Sequence, residues 1–339
     1  MTVKLADIAA ETGFSINTVS RALRGDRRIS EQTRRLISGT AEKMGYIRNE
    51  VAGSMRSNRT NTIGVVSADS SNPFFSEVLL AIELAARKNS YGILLINTEE
   101  QAEKEYDAVK LLMGRQVDGL IIIPVFDSPV NLSLYRSFHL PFVFAGRWVR
   151  GLEEHSILHG DGKGSAEVFR YFLKGGHKRI LYLSGPDMIS NTVDRLEGMK
   201  TACRELGVEP DEDLIVKTNG HIDDGYTKVN QALNKGLEFT AIACFNDLVA
   251  MGALKSLYEN SLRVPEDIEV FGYDDLNMSQ YMQPRLSSVH VPKAQLGQLA
   301  VEELLAHIAH PDLEYTRRTL EPRLVFRETT GKAGRDSEY

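Results

Sequence analysis

Cysteine is scarce: the 339-residue chain has two, Cys203 and Cys244. Two thiols cannot build the bridged framework of a small secreted domain, and they read as buried thiols of a reducing compartment. Long apolar runs are missing too. None approaches the ~18–20 residues that cross a bilayer. The opening "MTVKLADIAAET" lacks an apolar stretch of the export-signal kind. A cytoplasmic protein without a membrane partner is therefore expected. Metal-ligand spacing is absent among His139, His155, His159, His177 and His221. "GDGKGS" at 160–165 has neither Walker nor dinucleotide-fingerprint spacing. No nucleophile, base and acid are forced into one set. The expectation is no enzyme, no cofactor and no metal.

An overall excess of positive charge is also lacking, since the net charge is −6. That excludes a chain that coats nucleic acid along its whole length. The distribution is uneven, however. Residues 1–60 carry eleven Lys and Arg against six Asp and Glu, a net +5 that leaves −11 for the remainder. A basic head on an acidic body suits local contact with phosphate.

The head reads as three helices. Leu5, Ile8, Ala9 and Thr12 recur at helical spacing. Gly13 breaks the pattern and Ser15 caps a second helix. There Val19, Ala22 and Leu23 face inward while Ile16, Asn17, Ser20 and Arg21 face out. Ser30 caps a third helix with Thr33, Leu36, Ile37, Thr40 and Met44 as its apolar stripe. Gly45 ends it in the left-handed position. This is the helix-turn-helix plan, in which the second helix enters the major groove. Arg21 can donate two bonds to guanine, Asn17 can pair with adenine, and Ile16 can meet a thymine methyl. An interaction module of three solvated helices has the same spacing.

The string "KLADIAAETGFSINTVSRALRG…ISEQTRRLISGTAEKMGYIRNEVA" resembles the N-terminal domain of the lactose-repressor (LacI/GalR) family of bacterial transcription regulators. The resemblance runs from Val3 to Arg56. It implies that Ile16, Asn17 and Arg21 read bases, with Ser15, Thr18 and Ser20 near the DNA backbone. It also implies that "NEVAGSMR", Asn49 to Arg56, is a hinge helix that folds on the operator. Asn49, Ala52 and Met55 would be its DNA-facing residues, with Met55 the apolar wedge in the minor groove, where leucine is usual. Gly53 weakens such a helix by about 1 kcal/mol relative to alanine.

After the polar linker "RSNRTNT", short apolar runs alternate with helical stretches. The runs are 62–68, 92–97, 118–124, 141–145, 179–184, 241–245 and 268–273. Unbroken apolar strands separated by helices indicate parallel sheets covered on both faces. Seven such strands favour two α/β lobes with a cleft between them. Ligands of such sheets bind beyond the carboxyl ends of the strands. Following those runs come Asn72, Phe74 and Phe75, then Arg195, then Asn246 and Asp247, then Asp274 and Asp275. Aromatic faces with an amide, a guanidinium and carboxylates suit a polyhydroxylated ligand.

This body is similar to the same family and, through it, to the periplasmic sugar-binding proteins. "NPFF", "VDGLI", "GHKRILYLSGP", "FND" and "RVPEDIEVFGYDD" carry the likeness. It implies two lobes of type I periplasmic-binding-protein architecture, with crossovers near Asp161, Val289 and Glu321. It implies that Phe74, Phe75, Arg195, Asn246 and Asp274 line an effector cleft. Departures stand beside it. Gly220 and His221 occupy a loop where relatives place an aromatic, and Val291 replaces a polar residue. Trp148, beside Arg147, is a candidate for the missing stacking face.

The expected organisation is a helix-turn-helix domain at 1–47 and a hinge helix and linker at 48–61. A two-lobed effector and dimerisation domain follows at 62–331, then a polar tail at 332–339. The tail shows no leucine heptads, so no tail-mediated tetramer is expected. The expected function is a homodimeric repressor of a carbohydrate operon. It would bind palindromic operator DNA and respond to a sugar. The alternatives are a nucleobase or phosphosugar corepressor for the same regulator, or a sugar-binding protein without DNA function.

Overall fold

The computed structural model describes residues 3–47, 59–125, 128–187 and 189–331. The hinge segment with Asn49, Ala52 and Met55, and the tail at 332–339, lie outside them. The chain divides into two compact units, Met1–Thr60 and Asn61–Tyr339.

In the first unit, α1 spans Leu5–Thr12, α2 Ile16–Leu23 and α3 Glu31–Lys43. Gly13 turns the chain at φ +71°, a conformation that costs any L side chain a steric penalty. Ser15 Oγ accepts from the Thr18 N–H and Ser30 Oγ from the Thr33 N–H, which satisfies orphan donors at both helix starts. Ile8, Val19, Ala22, Ile37 and Ala41 form the buried core. The third stripe needs one correction. Leu36 is exposed, and Ala41, one turn beyond Ile37, fills the place instead. Both residues fit a helical period, and only the angle at which α3 crosses α1 and α2 decides between them.

The second unit holds two six-stranded sheets. The first has the order β11-β5-β4-β3-β1-β2, with β1 Thr62–Ser67, β2 Gly92–Asn97, β3 Gly119–Ile122, β4 Phe142–Ala145, β5 Ser156–His159 and β11 Arg318–Leu320. All its pairings are parallel. The second runs β12-β10-β9-β8-β6-β7, with β6 Ile180–Ser184, β7 Ile215–Lys217, β8 Ala241–Cys244, β9 Glu269–Asp274, β10 Ser287–His290 and β12 Arg323–Val325. Only β12 runs antiparallel to its neighbour. The chain passes between the lobes after β5, after β10 and between β11 and β12. Helices α4 (Pro73–Lys88), α5 (Ala102–Gly114) and α6 (Pro129–Arg136) belong to the first lobe, as does α11 (Lys293–Ala309). Helices α7 (Asp161–Lys174), α8 (Ser190–Glu205), α9 (Ile222–Asn234) and α10 (Asp247–Glu259) belong to the second. Cys203 and Cys244 are buried free thiols.

The helix pairs of the second lobe cross at glycines. A Cβ on Gly198 would stand 2.1 Å from the Gly162 carbonyl oxygen, where α8 meets α7. Backbone cannot yield as a side-chain tip does. Gly198→Ala is therefore expected to cost about 1–3 kcal/mol through forced separation of the two helices. Chemical denaturation should show the loss, with unchanged slope.

Candidate DNA-contact face and effector cleft

The N-terminal unit leaves one face of α2 bare. Val19 and Ala22 are buried, Ile16 and Asn17 are exposed, and Thr18, Ser20 and Arg21 are half-buried at the rim of the same face. Ser15, at the cap, is exposed. An isoleucine more than half exposed at a helix start does nothing for a three-helix core. Beside Asn17 and Arg21 it forms a mixed apolar and hydrogen-bonding edge. That combination reads bases in the major groove.

The second unit carries a cavity of about 510 Å³ between its lobes. This lies in the range of small-molecule sites. Asn72, Phe74, Phe75, Arg147, Arg195, Asn246 and Asp274 all line it. Asn72 caps α4 by accepting from the Phe74 N–H at 3.0 Å, so the first turn of α4 delivers both rings to the cleft. The rings meet edge to face at 5.3 Å, each backed by the core. Asn246 caps α10 through the Val249 N–H at 2.8 Å, and its Nδ2 holds the Gly220 carbonyl at 2.9 Å.

Arg195 sits in the second turn of α8 rather than in a loop. Its Nε donates to Asp161 Oδ1 at 2.7 Å, one Nη donates to the Phe245 carbonyl, and the other lies 3.7 Å from Asp274. The guanidinium carbon lies 3.5 Å from the Tyr273 ring centroid. Burial works against its charge, but Asp161, Tyr273 and Asp274 raise it above arginine's ordinary value. Arg147 forms a two-pronged pair with Glu100, both contacts at 2.7 Å, and also reaches Asn191 and the Pro124 carbonyl. Asn191 in turn donates to the Gly146 carbonyl and to Asp161, each at 2.8 Å. The floor of the cleft is thus one polar network that joins both lobes.

Asp274 is the exception in this network. It is 5% exposed, and among the described residues no N–H or O–H donates to its carboxylate, the nearest cation being Arg195 at 3.7 Å. Burial pushes its carboxyl up to about 8, against the pull of Arg195. Its backbone has φ +102° and that of Asp275 +50°. Two consecutive non-glycine residues in that region are strained, and such strain persists where surrounding structure enforces it. Lys293 enforces it here, donating to the Asp274 and Asp275 carbonyls at 2.6 and 2.9 Å. Asp247 fastens the following turn by accepting from the Leu276 N–H, Ser279 and Ser288.

Trp148 requires a correction. It is not among the residues that line the cavity. Its indole N–H donates to Asp194 Oδ2 at 2.9 Å, and its own N–H donates to Ser190. The side chain is a strut between the lobes, held by those bonds. Trp148→Phe is expected to leave affinity for a ligand of the cleft within about twofold. The lost hydrogen bond should lower stability by roughly 1 kcal/mol, as thermal unfolding would show.

Sequence reasoning missed Glu100, His159 and Asn191, all of which line the cavity. Burial keeps the His159 imidazole below its ordinary value despite Asp161, so the ring stands neutral in the floor. A doubled acid just beyond β2, "EE" after Thr98, is the one available signal for Glu100.

Comparisons with known proteins agree with this architecture. Residues 4–49 match the family described as bacterial regulatory proteins, lacI family, and residues 169–330 match the periplasmic binding protein-like domain. The chain is 31% identical to the ribose operon repressor of Haemophilus influenzae, over 96% of this chain and 98% of that one. It is equally 31% identical to the HTH-type transcriptional repressor PurR of Vibrio atlanticus, again over 96% and 98%. The lac repressor dimer bound to operator and the anti-inducer ONPF superposes with a TM-score of 0.87 at 27% identity, over 97% of this chain and 99% of that one. A helix-turn-helix unit joined to a two-lobed binding domain is the build of a ligand-responsive, DNA-binding transcriptional regulator. The chain belongs to the lacI family of bacterial regulatory proteins.

Proposed function

We propose that this regulator is a dimeric repressor whose hold on a palindromic operator is set by a small polyhydroxylated effector in the interlobe cleft. Residues 1–47 read the half-site, 48–61 form the hinge and linker, and 62–331 bind effector and partner copy. Ser15, Ile16, Asn17, Thr18, Ser20 and Arg21 face the DNA, joined by Asn49, Ala52 and Met55 of the hinge. Asn72, Phe74, Phe75, Arg147, Arg195, Asn246 and Asp274 face the effector. The carrying observation is that one chain pairs a bare, amide-, guanidinium- and isoleucine-bearing helix face with an aromatic and polar cleft.

Dimerisation has support from the surface. Edge strand β2 exposes Leu94 and Leu95 on its two faces, and Leu80, Leu84, Leu111 and Met113 are exposed on the adjoining α4 and α5. An uncovered apolar edge of this kind calls for a partner, and a second copy gives the two-fold symmetry that a palindrome mirrors. The reading includes no catalysis, in keeping with repressor relatives. It is also a cytoplasmic reading, because the operator is there. Among the described residues no helix is long and apolar enough to cross a membrane.

Coupling between cleft and DNA is a differential affinity and is reciprocal: effector weakens DNA as much as DNA weakens effector. Release by a sugar is the favoured direction. An electrophoretic shift with genomic fragments, with and without sugars, tests the reading. Binding should fall steeply with salt, and deletion of residues 1–60 should abolish that slope. Retention of the slope in the deleted chain would place the DNA contact elsewhere.

A further inference from the structure

Two cavities meet at one turn of chain. Asp274 lines the effector cavity. Asp275, the next residue, lines a second cavity of about 770 Å³ that shares no described lining residue with the first. Within the second lobe the turn is well anchored. The Asp275 N–H donates to Ser288 Oγ at 3.0 Å, and the Asp275 carboxylate meets Arg327 at 2.6 Å and His290 at 2.8 Å.

The same turn is also tied to the first lobe. Lys293 opens α11, where the chain has just returned from β10 of the second lobe. Its ammonium reaches back over that crossover to the Asp274 and Asp275 carbonyls, at 2.6 and 2.9 Å. Glu77, on α4 of the first lobe, comes within 3.5 Å of the same ammonium and of the Asn277 N–H. A lysine only 6% exposed is uncommon, because its charge is costly to bury without partners. Here two consecutive left-handed residues aim their carbonyls at one donor. The strained bend and the buried ammonium account for each other.

This tie can open at little cost. The Glu77 side chain is 39% exposed and can take up water in place of the ammonium. The second cavity leaves the ammonium room to hydrate. Release strands no buried charge, in contrast to the Arg195–Asp161 pair, whose side chains are 5% and 3% exposed.

Beyond Lys293 the contacts continue to the surface. A Cβ on Gly297 of α11 would stand 2.7 Å from Ala81 Cβ and 2.8 Å from the Val78 carbonyl oxygen. The backbones of α11 and α4 therefore touch, and a shift of one is a shift of the other. α4 carries Leu80 and Leu84, part of the exposed apolar edge ascribed above to the partner copy.

We propose that Lys293 is the positioning residue that couples the cleft to the partner-facing edge, by holding the turn of Asp274 and Asp275 to α11 and α4. The inference rests on the regulator reading above and names the contact that carries its regulation. Lys293 does not line the effector cavity, and it acts through the turn and the two helices. Tied and released arrangements are the two states, and effector and DNA each bias the same contact.

The test compares coupling ratios in the full chain. A thermal-shift screen of free sugars supplies the effector, and selection from random duplexes supplies the operator. Operator affinity is then read by fluorescence anisotropy without sugar and at saturating sugar, so weaker sugar binding by a variant does not enter the ratio. Lys293→Met keeps an apolar stem and removes the ammonium. The ratio is expected to be about tenfold or more in the native chain and below about threefold in Lys293→Met, and sugar affinity with and without operator should change by the same factor. Lys293→Arg, which can again donate to both carbonyls, should recover most of the native ratio. A merely structural role would lower the melting temperature and leave the ratio in place. Should Lys293→Met not fold, Glu77→Ala decides at a partly exposed site, with an expected ratio at least about twofold below native. A native ratio in folded Lys293→Met, or in Glu77→Ala where it stands in, overturns this inference alone, as does a Lys293→Arg chain as unresponsive as Lys293→Met. A native chain that prefers no duplex, or whose operator affinity no free sugar changes, sinks the regulator reading and this inference together.

Discussion

Asp274→Asn is expected to make the ligand-free protein more stable at pH 8 and, at the same time, a poor sensor. The sign follows from protons. The native carboxyl is pushed up to about 8 by burial, against an ordinary value of 3.8. Between those limits the folded chain keeps a proton that the unfolded chain has released. Stability is therefore full below about pH 4 and is lost as pH rises toward 8, with a slope of at most about 1.4 kcal/mol per pH unit. Asp247, raised by burial to about 6, and Glu105, raised by burial to about 7, act in the same direction. Asparagine removes the Asp274 contribution, so variant and native melting temperatures should converge near pH 4 and separate by several degrees at pH 8. Ligand affinity moves the opposite way. Loss of a charge-assisted bond to a sugar hydroxyl costs roughly 1.5–3 kcal/mol, about ten- to a hundredfold in Kd. In the native protein, hydroxyl donors favour the ionised carboxylate, so affinity should rise with pH up to about 8. The groups facing Asp274 are Arg195 and Asp161, with Asp247 and Lys293 from the elements behind it. Calorimetric titration across pH 6–9 checks both signs, and a native Tm that rises toward pH 8 would contradict them.

Arg21→Ala is expected to abolish operator discrimination while leaving the fold intact. Arg21 is half-buried at the rim of the α2 face, and among the described residues its side chain makes no hydrogen bond. Its removal should cost little stability. A bidentate arginine–guanine pair discriminates by ~1–3 kcal/mol per half-site. With two half-sites in a dimer, the loss of specific affinity reaches about 30-fold to more than 10⁴-fold. Non-specific affinity should fall only slightly, and the salt slope should stay nearly constant, since it changes by about one only for each phosphate left without its cation. Fluorescence anisotropy on operator and scrambled duplexes reads both. Equal weakening on the two duplexes would make Arg21 a phosphate binder rather than a reader.

Much of this architecture is legible in the sequence, and the illegible parts share a cause. All seven apolar runs correspond to strands, six of them because a parallel strand covered on both faces must be apolar on both, whereas the seventh, β2, is an edge strand that exposes Leu94 and Leu95. The strands left unread are β5, β7, β10, β11 and β12. β10 shows why: Ser287 and Ser288 are both fully buried, one bonded to Thr330 and one to Asp247. A strand whose inner residues are satisfied serines carries no hydrophobic signal. β7, β11 and β12 are three residues each and charged, edge or near-edge pieces whose existence depends on the neighbouring strand. The cleft divides in the same way. Asn72 and Asn246 announce themselves as helix caps at strand ends, and Asp274 follows an apolar run. Asn191, Glu100 and His159 gain meaning only when α8, the β2 turn and the end of β5 come together around Arg147 and Asp161. Trp148 shows the converse hazard. A tryptophan beside an arginine reads as a stacking face, but a half-buried indole needs an acceptor, and Asp194 across the lobe boundary supplies it.

The most direct test is selection of random duplexes by the full-length chain, repeated in the presence of the free sugar that gives the largest thermal shift. The account predicts that a two-fold symmetric motif emerges, that Arg21→Ala fails to enrich it, and that the sugar changes its affinity at least tenfold. Recovery of no palindrome, or of one whose affinity is indifferent to cleft occupancy, would contradict it.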